Sequence, residues 1–448
     1  METQASLGTQ SLPALDIDRT SELDAPFSAR ISPRIVVAGA VGSIVEYFDF
    51  GVYGYVAVIL ATQFFSSGNP TSAILNTLAA FAIAFVLRPV GGLVFSHFGD
   101  RFGRKNALAA TVLLMSVASG LIGFLPTYAA IGVGASALLV LARCMQGIAA
   151  GGELGGAIAF VAEHSPAHRR GLLCSTTQTG ALAGILLASI VVATLNQTLS
   201  KADMTTWGWR VPFLVAIPIG VIGLWIRSRL TEAKSFQVLS ESDRTESAPV
   251  IELLRSYSGP LAKSIGLSIL LFSLYYIAYV YVNIHLQRVV GVSSKLAFWS
   301  TTLTLAVSVV CMPLFGALSD RVGRRPVFVV SSLAALVLAV PCFNLMNAGG
   351  LTAVGMQIVL GLIESALMGV AFSTMAELFP TRVRYTGVAL GFNIGGVVAG
   401  GTAPLICTWL VSVTGSSIAP AYFLIGTAVV TLFSAFTLKE TAGSALKP

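Results

Sequence analysis

Charge is scarce in this sequence. Asp, Glu, Lys and Arg make up 10% of its 448 residues, against roughly 25% in a soluble domain. With 55% hydrophobic residues beside so little charge, the chain reads as a membrane protein. Cysteine is sparse too: Cys144, Cys174, Cys311, Cys342 and Cys407 stand singly in apolar runs without Cys-x-x-Cys spacing, which gives no support to a disulfide framework or a metal site. The four histidines, His97, His164, His168 and His285, are scattered without ligand spacing. Neither a metal centre nor an enzymatic cluster is expected. No Gly-x-x-x-x-Gly-Lys-[Ser/Thr] loop occurs, which argues against an ATP-driven pump. No small-residue cleavage site follows a short apolar core near the start, so the first apolar run is expected to stay as an anchor. The net charge of +7 comes without an aromatic-interleaved basic patch, and nucleic acid is not an expected partner.

What is present is a succession of apolar runs, each close to the 20 or so residues that cross the hydrocarbon as a helix. Twelve are expected, at about 34–62, 73–97, 107–125, 134–162, 172–196, 209–227, 263–287, 296–318, 326–346, 353–378, 384–412 and 419–437. A polar tail (1–33) precedes them and a short tail (438–448) follows. The longest loop, 228–262, carries both signs of charge and divides the chain into six-span halves, 34–227 and 263–437. The fold class expected is therefore an all-α membrane protein of twelve transmembrane helices in two six-helix pseudo-symmetric halves. With both termini inside, the inner loops hold sixteen Lys and Arg and the outer loops four (Lys201, Arg210, Arg288, Lys295). That bias sets the orientation and leaves both ends in the cytoplasm.

The stretch Gly91–Lys105 closes the second run and turns through Gly99 and Gly103 while setting down Asp100, Arg101, Arg104 and Lys105. It returns about 220 residues later with Asp320, Arg321, Gly323, Arg324 and Arg325. A second echo runs from Ala162-Glu163, Pro166 and Arg169-Arg170-Gly171 to Ala376-Glu377, Pro380, Arg382, Arg384 and Gly387, with the prolines 214 residues apart. Ordinary loop charge explains the arginines but not the Asp, the Gly spacing or the recurrence. Asp100, Asp320 and their arginines are expected to form inside-gate ion pairs, with Glu163 and Glu377 as partners. Two related halves about a central cavity suit alternating access.

Ionisable groups at membrane depth are costly, by about 2.5–3.5 kcal/mol each on insertion scales, and so are candidates for function. The first half has Glu46 and Asp49 in span 1, Arg88 in span 2, and Arg143 and Glu153 in span 4; the second has Glu364, helped by Asn393. Glu46, Asp49 and Tyr53 share one helical face, with the two carboxylates about 18–22 Å into span 1. A carboxylate there could carry a proton, or each could be locked to Arg88 or Arg143 as a static ion pair. Arginine grips a substrate carboxylate with two bonds. Span 4 also carries Gly147, Gly151, Gly152, Gly155 and Gly156, a small-residue series that lets another helix approach closely.

The paired GDRFGRK and SDRVGRRP loops resemble the major facilitator superfamily. GSIVEYFDFGVYGY, LRPVGG, RCMQGIAAGGELGG with AEHSP-x-x-RRG, WGWRVPF and RLTEAKSF narrow the likeness to the metabolite–proton symporter family, over residues 32–440. The nearest subgroup is the proline/glycine-betaine one, which ALSDRVGRRPVFVVSS, ELFPTRVRYTGVALGFNI and LKETAG also resemble. Three departures matter: Gly42-Ser43 replaces Gly-Asn, Arg143 stands where the betaine group has lysine, and the chain ends at Pro448 without a heptad tail. The last puts osmotic regulation in doubt. The resemblance implies a proton-coupled importer of a zwitterionic osmolyte, or alternatively of an organic acid such as citrate, 2-oxoglutarate or shikimate. It implies no cofactor beyond the proton gradient, a small molecule, protons and lipid as partners, no obligatory protein partner, and an inner-membrane location. A drug antiporter fits less well, because span 5 reads TQTGALAGILLAS without the Gly-Pro of that group. A passive facilitator would not need Glu46, Asp49 and Glu153 buried together.

Overall fold

The computed structural model describes residues 33–65, 68–102, 104–151, 158, 161–163, 165–230 and 249–446, with backbone alone at 33–42, 96–97, 99–102, 104–108, 226–230 and 249–251. It is helical almost throughout, and no strand occurs among the described residues. Span 1 is Pro33–Phe64; span 2 is Pro70–Val86, continued after a turn at Leu87 by Arg88–Phe102; span 3 is Arg104–Phe124. Spans 4, 5 and 6 are Val133–Gly151, Arg170–Thr198 and Val211–Leu230. The second half runs through span 7 (Ser258–Val290), span 8 (Ser294–Val322), span 9 (Arg324–Met346), span 10 (Gly350–Leu378), span 11 (Thr381–Thr414) and span 12 (Ala419–Phe436). Eleven of these are long and apolar enough to cross a membrane, and the apolar part of span 3, Ala109–Phe124, is a shorter twelfth.

Local chemistry sets the boundaries. The Asn69 side chain accepts from Thr71 N with Pro70 in the first turn of span 2, and Ser293 caps span 8 through Leu296 N. Both are side chains suited to an N-cap. Gly323 separates spans 8 and 9 at φ 106°, a left-handed conformation that a side chain rarely adopts. The matching stretch in the first half differs from expectation. Gly99 lies inside the helix Arg88–Phe102 rather than at a turn, because its helical hydrogen bonds continue to Phe102. Gly103 lies outside the described residues.

The loop expected at 228–262 is also not all loop. Pro249–Ser256 is a helix, with Glu252 in its first turn and Arg255 in its last, charges that complement the helix dipole. Span 7 then starts at Ser258, earlier than the apolar run suggested.

Three spans are enclosed far more than the rest. The most apolar windows of spans 1, 7 and 10 are 83%, 89% and 83% buried, against 39–56% elsewhere. These three are therefore the central helices, while the others leave a face uncovered by protein. The halves meet where span 5 packs on spans 8 and 10, span 2 on span 11, and span 1 on span 7. Within the first half, the glycines of span 4 let span 2 approach. A Cβ on Gly147 would lie 2.3 Å from Ala84 O, one on Gly151 1.9 Å from Arg88 O, and one on Gly91 1.9 Å from Ile148 O. That crossing brings the base of Arg88 against span 4 at Gly151, about two turns beyond Arg143.

Candidate functional site

Glu46, Asp49, Arg88 and Arg143 converge between spans 1, 2 and 4, all at most 2% exposed. Each carboxylate meets its own arginine. Arg88 Nη2 donates to Glu46 Oε1 at 2.9 Å, a tight buried pair. Asp49 and Arg143 are held more loosely, Nη1 to Oδ2 at 3.9 Å. Ser119 donates to Asp49 Oδ1 and accepts from Gln146 Nε2 at 3.0 Å, while Gln146 Oε1 accepts from Arg143 Nη1 at 2.6 Å. The four side chains Asp49, Ser119, Gln146 and Arg143 thus close a ring.

Aromatic faces cover the two guanidinium groups. Arg88 Cζ lies 4.7 Å from the Phe50 ring centre and 4.5 Å from Phe85. Arg143 Cζ lies 4.3 Å from Tyr53, 5.1 Å from Phe50 and 5.4 Å from Phe81. These are cation–π distances, and Phe50 is shared by both arginines. Arg143 Nε and Nη2 have no hydrogen-bond partner, nor has Asp49 Oδ2. Tyr53 contributes its ring rather than its hydroxyl, which donates to Thr77 O at 3.0 Å.

Across the boundary, Glu364 of span 10 is fully buried and accepts from the Tyr279 hydroxyl at 3.0 Å. Asn393 is half-buried on span 11 and forms no hydrogen bond to the set. Glu153 lies outside the described residues.

At the basic end of the bundle the halves are tied by swapped ion pairs. Arg170 Nη1 donates to Glu377 Oε1 at 3.1 Å, and Arg384 Nη1 donates to Glu163 Oε1 at 2.5 Å. Both arginines also bond the carbonyl eight residues back, Arg170 to Ala162 and Arg384 to Ala376. The four residues obey the same 214-residue offset seen in the sequence. Arg324 joins Glu377 at 3.3 Å and Asp320 at 2.9 Å. Asp320 accepts from Gly171 N and Leu172 N at 2.7 and 2.9 Å, an acidic side chain at the N-terminus of span 5, where the helix dipole favours it.

One expectation about this end needs correction. Arg321 is exposed and makes no ion pair among the described residues. Arg324, which opens the next helix past the break at Gly323, takes the inner position beside Asp320 instead. Arg170 and Arg384, which the sequence repeat pairs 214 residues apart without a bonding role, are the arginines that bond Glu377 and Glu163. The side chains of Asp100, Arg101 and Arg104 lie outside the described residues. The tail also takes part: Glu440 accepts from Arg324 N at 2.8 Å and Arg325 N at 3.1 Å, Thr441 Oγ1 donates to Glu377 at 2.6 Å, and Ser444 O accepts from Arg170.

Two helical halves, the first holding a buried arginine–carboxylate set and the two tied by ion pairs at one end, are the architecture of a membrane transporter of the major facilitator superfamily. The chain belongs to the sugar (and other) transporter family, whose model matches residues 35–255 and 236–448. It is 38% identical over 425 residues to the proline/betaine transporter of Escherichia coli (strain K12), covering 92% of this chain and 85% of that protein. It is 37% identical, over 92% of the chain and 84% of the relative, to the glycine betaine/proline/ectoine/pipecolic acid transporter OusA of Dickeya dadantii (strain 3937). Among solved structures, the proton:xylose symporter XylE matches with a TM-score of 0.71 at 19% identity, over 92% of this chain and 97% of that one. That likeness concerns the fold.

Proposed function

We propose that this chain is a proton-coupled symporter that imports a small zwitterion such as proline or glycine betaine by alternating access of its two halves. The relatives named for proline, betaine, ectoine and pipecolic acid support it, and those compounds share a carboxylate and a cationic nitrogen centre. The observation that carries the reading is Arg143: fully buried, 3.9 Å from Asp49 and with Nε and Nη2 unpartnered. It can take a substrate carboxylate that competes with Asp49 for the same guanidinium.

In this reading a proton arriving at Asp49 removes its claim on Arg143, and the substrate carboxylate replaces it. Neutralised Asp49 stays hydrogen-bonded to Ser119, which keeps the ring in place. Glu46–Arg88 holds spans 1 and 2 together beside it, and Glu153, Glu364 and Asn393 belong to the same transport path. Asp100, Arg101, Arg104, Asp320, Arg324, Glu163 and Glu377 form the gate, with Arg170 and Arg384. The halves run over 34–227 and 263–437. The sixteen-to-four charge bias supports both termini, and hence the swapped ion pairs, on the cytoplasmic side of the inner membrane.

The second reading, a symporter of an organic acid, rests on the presence of two buried arginines, Arg88 and Arg143. Uptake of labelled proline, glycine betaine, citrate and 2-oxoglutarate, with and without a protonophore, separates them. Protonophore-sensitive uptake of proline or glycine betaine is expected. Uptake of a di- or tricarboxylate alone favours the second reading, and uptake indifferent to a collapsed gradient removes the proton.

A further inference from the structure

Glu364 differs from every other described carboxylate in the membrane interior. Glu46 has Arg88 at 2.9 Å and Asp49 has Arg143 at 3.9 Å, but no cationic side chain among the described residues pairs with Glu364. Oε2 accepts from Tyr279, while Oε1 is buried without a hydrogen-bond partner. A carboxylate enclosed in this way is complemented either by a proton or by a positive charge brought from outside.

The surroundings favour an organic cation. Tyr279 stands edge-on to Tyr275, with centroids 5.2 Å apart at 87°, and Tyr275 packs on Tyr276 at 5.1 Å. Tyr47, from the first half, meets Tyr275 at 6.0 Å and 75°. All four tyrosines are at most 2% exposed. The hydroxyl oxygens of Tyr275 and Tyr276 have no partner. Clustered tyrosine faces attract quaternary ammonium groups, which have no N–H to donate. A secondary ammonium can instead donate to a free carboxylate oxygen and a phenolic oxygen.

We propose that Glu364, with Tyr275, Tyr279 and the facing Tyr47, is the binding site for the cationic nitrogen of the substrate. The proposal rests on the zwitterion reading above and adds the residues that would reject a plain organic acid. The two ends of the ligand are then read by different halves, the carboxylate by Arg143 and the nitrogen by Glu364. Tyr47 links them, because it stands on span 1 and touches span 7.

The test is a competition assay on the purified full-length protein, with labelled glycine betaine displaced by unlabelled glycine betaine or by 3,3-dimethylbutanoate. The latter has the same shape with carbon in place of the charged nitrogen. The wild type should prefer glycine betaine by more than about tenfold. Glu364→Gln should bring the two ligands within about threefold of each other, and Tyr275→Leu should cut the preference at least threefold. Tyr279→Phe, which keeps the ring, should retain most of it. If Glu364→Gln fails to fold, Tyr275→Leu and the wild-type ratio still decide.

A wild type that binds both ligands equally overturns the proposal, as does a Glu364→Gln protein with unchanged preference. So does a Glu364→Gln protein that binds glycine betaine normally but no longer accumulates it, which would make the residue a proton carrier. A wild type that binds neither glycine betaine nor proline overturns the zwitterion reading too, so the two failures are told apart.

Discussion

Arg170 of the first half donates to Glu377 of the second at 3.1 Å, and the duplicate of this bond, Arg384 to Glu163, runs the opposite way. Each half therefore supplies one acid and one base to the same closure. The two bonds differ in surroundings. Glu377 is buried, whereas the Glu163 side chain is 34% exposed. The Glu377 bond should dominate, since an exposed pair is worth little and breaking a buried one costs about 3–5 kcal/mol.

Cys174 is a built-in reporter of that closure, being 1% exposed on span 5, one turn from Arg170. Glu377→Gln should raise maleimide labelling of the Cys174 peptide several-fold, read by mass spectrometry. Glu163→Gln should change it much less. Equal effects would show that burial does not set the order of the two bonds.

Asp49→Asn keeps an oxygen to accept from Ser119 but cannot give up a proton. Accumulation against a gradient should fall at least about tenfold, corresponding to 1.4 kcal/mol, while exchange of labelled for unlabelled substrate persists. Glu46→Gln should behave differently. It leaves Arg88 buried without its anionic partner, so a loss of folded protein, seen by size-exclusion chromatography, is expected.

Gly151→Ala places a Cβ 1.9 Å from the backbone oxygen of Arg88. Backbone cannot yield as a flexible side chain does, and overpacking of this kind costs about 1–3 kcal/mol or more. The melting temperature in detergent should drop by several degrees, or the protein should fail to accumulate. Gly355→Ala and Gly426→Ala are controls, since a Cβ at either meets nothing within 4 Å; both should be neutral or slightly stabilising.

Glu440 lies outside the spans and is partly buried, which acts to raise its pKa, but bonds from the N–H groups of Arg324, Ala442, Arg325 and Thr441 outweigh that and lower it. A depressed carboxylate adds stability above its unfolded pKa and loses it as pH falls through the folded value. The tail should therefore stay docked at neutral pH and loosen only as the pH falls below the ordinary glutamate range. Glu440→Gln should loosen it already at neutral pH, measured as faster amide exchange at residues 438–446.

The twelve runs were legible because a helix in lipid must be apolar for its whole length. Span 3 was the weakest by composition and is still a helix. Glu46, Asp49, Arg88 and Arg143 were legible because an ion in that setting is rare. Their pairing was not: it depends on how far span 4 slides along span 2, which Gly147 and Gly151 fix only in three dimensions. Tyr275, Tyr276 and Tyr279 were hidden in an apolar run, where an aromatic reads as packing. Ser119 and Gln146 were hidden for the opposite reason, since uncharged polar groups are tolerated in membrane helices without a role. Arg384 was visible in the repeat, but no sequence tells whether a duplicated bond closes within its own half or across to the other.

The last residues have a practical consequence. Glu440, Thr441 and Ser444 touch Arg324, Glu377 and Arg170, so the stretch 440–444 is woven into the same bonds that join the halves. A fluorescent protein or affinity tag fused close behind this stretch would pull on them. Fusions made that way would report the handle's effect on the transport cycle along with the transporter's own, and a long spacer avoids the confusion.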